Sequence, residues 1–265
     1  MIIIGEKING SRKLIAKAIA EHDTDYIQQL AHRQIEAGSN WLDIHAGTTP
    51  ESELETLVWL IETVQKVADI PLCLDSTDSS ILNSAMSHVR YTPMINSISG
   101  EKKRFEGMLQ ILRDYKCPVI MLAIDDTGIP KTVEDRIKII SKLINEIHKQ
   151  VDMDDRHIYV DPLIMALSAD AESGNIALNT IRRVRDEFPE VHIVSGLSNV
   201  SFGLPARSII NQAFLTLAIE AGLDSAILDP LDKGLYSSIL ATEVILGRDR
   251  FCSNYNRAYR SGRLT

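Results

Sequence analysis

VIMLAI (119–124) is an unbroken apolar run that ends at Asp125 and Asp126. It is too short and too uniformly apolar for a strand with one wet face, so it reads as a strand buried on both sides. Seven more runs share this character: III (2–4), WLDI (41–44), LCLD (72–75), PMIN (93–96), IYVD (158–161), HIVS (192–195) and SAIL (225–228). Strands buried on both faces belong to parallel sheets, whose crossover helices cover the outside.

A helical pattern follows each run. Residues 24–37 open at Thr24, read as the N-cap, and stop at Gly38. Residues 50–68 open at Thr49-Pro50 and line up Leu54, Leu57, Val58, Ile61 and Val64. Residues 132–150 open at Thr132 and line up Ile137, Ile140, Leu143, Ile144 and Ile147. Residues 206–221 carry Ile210, Phe214, Leu217 and Ala218 before Gly222. Hydroxyls that cap free N–H groups, proline in the first turn and glycine past the last are physical start and stop signals. The helices after the third, fourth, sixth and eighth runs are less marked. Eight strand–helix units in 265 residues predict a single-domain α/β (β/α)8 TIM barrel over 1–265. A doubly wound open sheet is the alternative, but no GxGxxG follows the first strand.

A net charge of −8 argues against nucleic acid as a partner, because such binding rests on neutralising phosphates. No apolar run approaches the roughly 20 residues that span a bilayer. MIIIGEKING (1–10) has no basic leader and reads as a strand. Cys73, Cys117 and Cys252 lie far apart, without a CxxC, and suit a reducing, cytoplasmic setting. The histidines show no HExxH or His-x-His spacing, so no bound metal is expected.

In such barrels the site lies at the C-terminal ends of the strands. Polar residues collect there: Glu6, Lys7 and Asn9; Asp43 and His45; Asp75 and Ser76; Asn96 and Ser97; Asp125 and Asp126; Asp161; Gly196, Ser198 and Asn199; Asp229. A single strand-end Asp commonly caps the next helix. The set as a whole is rich in acceptors, and Lys7 is its one evident cation. A phosphate site would want glycine turns and cations. This mouth instead suits a flat ligand rich in N–H donors, and a pterin has such an edge. In GLSNVSFGLP (196–205), small residues, hydroxyls and one amide leave room for such a ring. DIHAG (43–47) imitates the DxHxxG of cobalamin-binding domains, but its glycine is one place early and it lies on a barrel strand.

With GEKIN (5–9), LDIHAG (42–47), LCLDS (72–76), INSIS (95–99), YVDPL (159–163), GLSNVSFGLPAR (196–207) and AGLDSAILDP (221–230), the chain resembles the pterin-binding methyltransferases along nearly its whole length. These include the methyltetrahydrofolate:corrinoid methyltransferases and the folate domain of cobalamin-dependent methionine synthase. The resemblance implies transfer of a methyl group between N5 of tetrahydrofolate and the cobalt of a corrinoid. It implies that Asp75, Asn96 and Asp161 hold the pterin and that Asn199 reaches N5. Gly196 and Ser198 would line the same wall, Arg207 would meet the folate tail, and Glu6 would stand at the mouth. The implied catalytic residues are Asn199 and Asp161. Methyltetrahydrofolate would be the substrate. Cobalamin would come free or on a corrinoid partner protein, and the enzyme would be a homodimer.

Two further readings stay open. Dihydropteroate synthases share the barrel and the pterin-binding Asp and Asn, but they carry a strand-seven lysine, and no lysine lies between 150 and 232 here. A folate-binding module without catalysis is the other. Histidine at 45 and phenylalanine at 202 depart from the pattern of relatives. The basic C-terminal segment 248–265 reads either as solvated or as a contact for a dimer mate or an acidic carrier.

Overall fold

The computed structural model of the protein describes residues 1–264. In chain order, β1 (Ile2–Asn9) leads to α1 (Lys13–Ala20) and α2 (Thr24–Glu36). Next come β2 (Trp41–His45), α3 (Pro50–Gln65), β3 (Leu72–Asp75), α4 (Ser79–Ala85), β4 (Met94–Gly100) and α5 (Lys102–Tyr115). Then follow β5 (Val119–Asp125), α6 (Val133–Gln150), β6 (Ile158–Asp161), α7 (Ser173–Glu187) and β7 (His192–Ile193). The chain continues through α8 (Arg207–Ala221), β8 (Ser225–Leu228), α9 (Lys233–Ile245) and α10 (Ser253–Arg260). The strands form one eight-stranded parallel sheet in the order β7-β6-β5-β4-β3-β2-β1-β8.

The sheet closes into a barrel between β7 and β8 without a ladder. Ile227 N–H donates to Ser195 O (2.9 Å), Asp224 N–H to Ile193 O (3.3 Å), and Gly196 bridges Ile227. The expected strand over HIVS (192–195) is therefore only His192–Ile193. Past Ile193 the backbone splits its bonds, with Val194 N–H on Val160 O of β6 and Ser195 O on the β8 side. Each strand is buried on both faces, as its apolar run requires. Ile4, Cys73, Met94, Ile120, Tyr159 and Val194 fill the interior, while a larger cluster joins the sheet to the helices. Burying one such side chain stabilises the fold by about 1.5–3 kcal/mol.

The helix signals hold with local corrections. Thr132 caps α6, its hydroxyl accepting from Asp135 N–H (3.1 Å), and Pro50 opens α3. The N-cap of α2 is Asp23, not Thr24; its carboxylate accepts from Tyr26 N–H (3.0 Å) and leaves Thr24 inside the helix. α3 stops at Gln65, short of 68. α1 has no counterpart among the expected helices; it follows β1 directly and packs Ile15, Ala18 and Ile19 inward. The C-terminal segment is not wholly solvated. Arg263 donates to Ala37 O (2.6 Å) and lies 4.2 Å from the Tyr236 ring centroid, which ties the segment after α10 to the end of α2.

Candidate active site

Because the strands are parallel, their C-terminal ends share one mouth. The ladder register sets three polar side chains in a row across it. His45 of β2 pairs with Asp75 of β3, which pairs with Asn96 of β4. One pleat deeper, Asp43 is only 3% exposed and accepts from Asn96 Nδ2 (3.2 Å). Burial holds the Asp43 carboxyl well above the usual carboxylate range, and nearby Asp75 pushes it the same way. Burial also raises Asp75, against the pull of His45 and Arg104. His45 Nδ1 lies 3.2 Å from Asp75 O and 3.6 Å from its carboxylate.

Asp161 ends β6. Its Oδ1 accepts from Leu163 N–H (2.8 Å), and the carboxyl takes the Gly196 N–H as well. Burial pushes it up to about 6, against those two donors and the charge of Arg136. Gly196 opens a 3-10 turn, Leu197–Asn199, that carries Asn199 to the surface. A Cβ on Gly196 would come within 3.3 Å of Asn199 Nδ2, so the glycine leaves space for that amide.

Glu6, Ser198 and Arg207 line one pocket of about 370 Å³ with Arg12 and Asp229. Glu6 accepts from Arg12 (2.6 Å), and Lys7 pairs with Asp229 (2.7 Å). Burial raises the Glu6 carboxyl, and Arg12 opposes it. Arg207 holds its own wall, donating from Nε to Ser201 Oγ (3.0 Å) and from Nη2 to Ser198 O (2.5 Å). Phe202 is 67% exposed, under the Arg207 guanidinium.

The structure thus groups Asp75 with Asn96, Asp161 with Gly196, and Glu6 with Ser198 and Arg207. It also corrects the expectation of a mouth nearly free of cations. Arg104 of α5 donates to Ser97 O (3.1 Å) and Ser97 Oγ (3.0 Å) and acts on Asp75. Arg136 of α6 acts on Asp161. Both come from helices, outside any inventory of strand ends. One sequence signal was available for Arg136, four residues before Ile140 on the apolar stripe of α6. Gly47, which made DIHAG look like a corrin motif, has a packing role: Gly10 and Gly47 let the first two strand-end loops touch, and Gly10 N–H donates to His45 O (2.8 Å). Among the described residues, no group of three or more His, Cys, Asp or Glu is placed to hold a metal ion.

A parallel barrel whose mouth offers carboxylates and amides from β3, β4, β6 and the turn after β7 belongs with barrels that bind a flat ligand rich in N–H donors at their strand ends. The pterin binding enzyme family matches residues 8–229, and the chain belongs to that family. It is 40% identical to the methylcorrinoid:tetrahydrofolate methyltransferase of Eubacterium limosum, over 100% of this chain and 98% of that protein. It is 30% identical to the methionine synthase of Mycobacterium leprae over 86% of this chain, which is 20% of that larger protein. Among solved structures, a dihydropteroate synthase of Yersinia pestis aligns with TM-score 0.69 at 16% identity, covering 93% of this chain and 93% of that one. That of Xanthomonas albilineans with 4-aminobenzoic acid aligns with TM-score 0.70 at 20% identity, covering 94% and 93%. These last likenesses show the shared barrel alone.

Proposed function

We propose that the protein is a methyltransferase that moves a methyl group between N5 of tetrahydrofolate and the cobalt of a corrinoid. The observation that carries this reading is the end-to-end likeness to a methylcorrinoid:tetrahydrofolate methyltransferase. The acceptor-rich mouth supports it. Asp75, Asn96 and Asp161 are suited to take the N–H edge of the pterin, and Asn199 to hydrogen-bond N5 from the neighbouring wall. Gly196 and Ser198 continue that wall, Arg207 and Glu6 lie toward the folate tail, and Asn199 with Asp161 are the residues assigned to the reaction.

For transfer out of methyltetrahydrofolate, the C–N5 bond breaks as the methyl passes to the corrinoid, and its electron pair stays on N5. Protonation makes N5 a neutral amine leaving group instead of an amide-like anion. The Asn199 amide orients N5 but does not supply that proton; solvent reaching the exposed turn does. A carboxylate nearby favours the positive charge that develops on protonation. The corrinoid is a second substrate, free or on a partner protein, and supplies the nucleophilic metal. The resemblance also implies a homodimer. Exposed Ile209 and Leu217 on α8 and Ile245 on α9 are apolar surface that a second copy would cover; a monomeric mass in sedimentation equilibrium would reject that. No helix among the described residues is long and apolar enough to cross a membrane.

The test is anaerobic. Protein, methyltetrahydrofolate and cob(I)alamin are mixed and the cob(I) absorbance is followed, with Asn199→Ala and Asp161→Ala alongside. Protein-dependent formation of methylcobalamin, slowed in both variants, is the expected outcome. Folate binding without transfer, to free cobalamin or to a purified corrinoid protein, would leave a binding module instead.

A further inference from the structure

Arg136 is the bulkiest side chain in the fully buried core, only 2% exposed, and among the described residues its hydrogen bonds go to main-chain carbonyls and not to a carboxylate. A charge taken from water must be matched by other polar groups. Here they are three main-chain carbonyls. Nη1 donates to Pro162 O (2.6 Å) and Leu163 O (2.8 Å), and Nε to Pro130 O (3.2 Å). The first two belong to the exit of β6, immediately after Asp161. Leu163 between them has φ +60, a left-handed conformation that is strained for a non-glycine residue and persists only where its surroundings hold it. Its N–H is the donor to Asp161.

The same loop reaches the wall across the mouth. Leu167 N–H donates to Val200 O (3.0 Å) and Ser168 Oγ to Phe202 O (2.7 Å). Hydrogen bonds at its two ends therefore tie the loop 162–168 to α6 on one side and, through Val200 and Phe202, to the segment just past the Asn199 turn on the other. We propose that Arg136 is a positioning residue: it fixes the exit loop of β6 to α6, and through that loop sets both the Asp161 carboxylate and the Asn199 wall. This assignment rests on the methyltransferase reading. Arg136 is also the ionisable side chain whose charge acts on Asp161; the other groups acting on it are the Leu163 and Gly196 amides. A guanidinium suits the position because its planar fork meets several carbonyls while remaining charged.

The experiment compares Arg136→Met, which loses charge and donors, with Arg136→Lys, which keeps the charge without the fork. Circular dichroism and Tm first establish folding. Asp161 is then titrated by 13C NMR in protein labelled at aspartate carboxyl carbons, with Asp161→Asn to assign the signal; this requires neither folate nor corrinoid. In parallel, anaerobic methyl transfer gives kcat and KM for methyltetrahydrofolate. In Arg136→Met the Asp161 titration is expected to move up by about one pH unit, and kcat to fall by roughly tenfold or more. In Arg136→Lys the titration returns toward that of the unaltered protein, but kcat stays low, because restored charge does not restore the loop. A folded Arg136→Met that titrates Asp161 as before overturns the electrostatic half. Unchanged kcat and KM in folded Arg136→Lys overturn the positioning half, and do so even if the methionine variant fails to fold. If the unaltered protein transfers no methyl group, the functional reading fails, while the NMR titration still tests the link to Asp161.

Discussion

The two sides of the mouth are built differently. On one side, Asp43, Asp75 and Asn96 stand on β2, β3 and β4 in unbroken ladder register. On the other, Asp161 ends a short strand, and Asn199 rides a turn secured by residues 162–168 and by Arg207. Side chains on paired strands are held by many bonds at once, whereas a turn is held by a few bonds that single substitutions remove. The ladder side is therefore suited to gripping a rigid ring. The Asn199 turn on that side is suited to contacts that strengthen as charge moves, and those act on kcat more than on binding.

The largest effect should come from the loop side. Asn199→Ala is expected to lower kcat for methyl transfer by about 10²-fold, with folate affinity within a few-fold; stopped-flow rates and calorimetry read the two separately. Asn96→Ala tests the ladder side, where folate Kd should weaken roughly tenfold or more and kcat at saturation should change less. Equal losses of kcat in both variants would erase the distinction between the sides. Acid should act mainly through Asp161. In the free protein its carboxyl titrates at about 6, so folate binding should weaken as pH falls from 7 to 5, by about tenfold if one ionised acceptor is lost. That acid limb should vanish in Asp161→Asn.

The smallest effect is on stability and has the opposite sign. Asp161 is raised from 3.8 to about 6 in the fold. The folded state then binds the extra proton between those values, so stability falls as pH rises through that window and stays lower above it. Asp161→Asn keeps an oxygen for the Leu163 N–H and removes the buried charge. At pH 7 its Tm should rise by about 2–4 °C, while folate affinity should fall. A lowered Tm would show that the carboxylate stabilises the apo fold.

Much of this was legible in the sequence because each strand announced itself twice, by a short apolar run and by the polar residue ending it. LCLD gave Asp75, IYVD gave Asp161, and PMIN gave Asn96. What escaped lies where that signal is silent. Asp43 was visible as a residue, but its bond to Asn96 depends on register between strands far apart in sequence. Arg104 and Arg136 come from helices, and a helical arginine looks solvated until the packing of its face is known. α1 was passed over because the stronger pattern at 24–37 filled the place of the first helix. β7 was overread because HIVS is apolar enough for a strand, while its hydrogen bonds are divided between two neighbours.

That division has a consequence for how the cylinder yields. Everywhere else the wall is a ladder; between β7 and β8 it is a clasp of Ile227 on Ser195 and Asp224 on Ile193. A hoop under load gives at its clasp, and this one lies beside the turn that carries Asn199. Any opening of the wall would therefore begin on the Asn199 side, while β2, β3 and β4 keep their register.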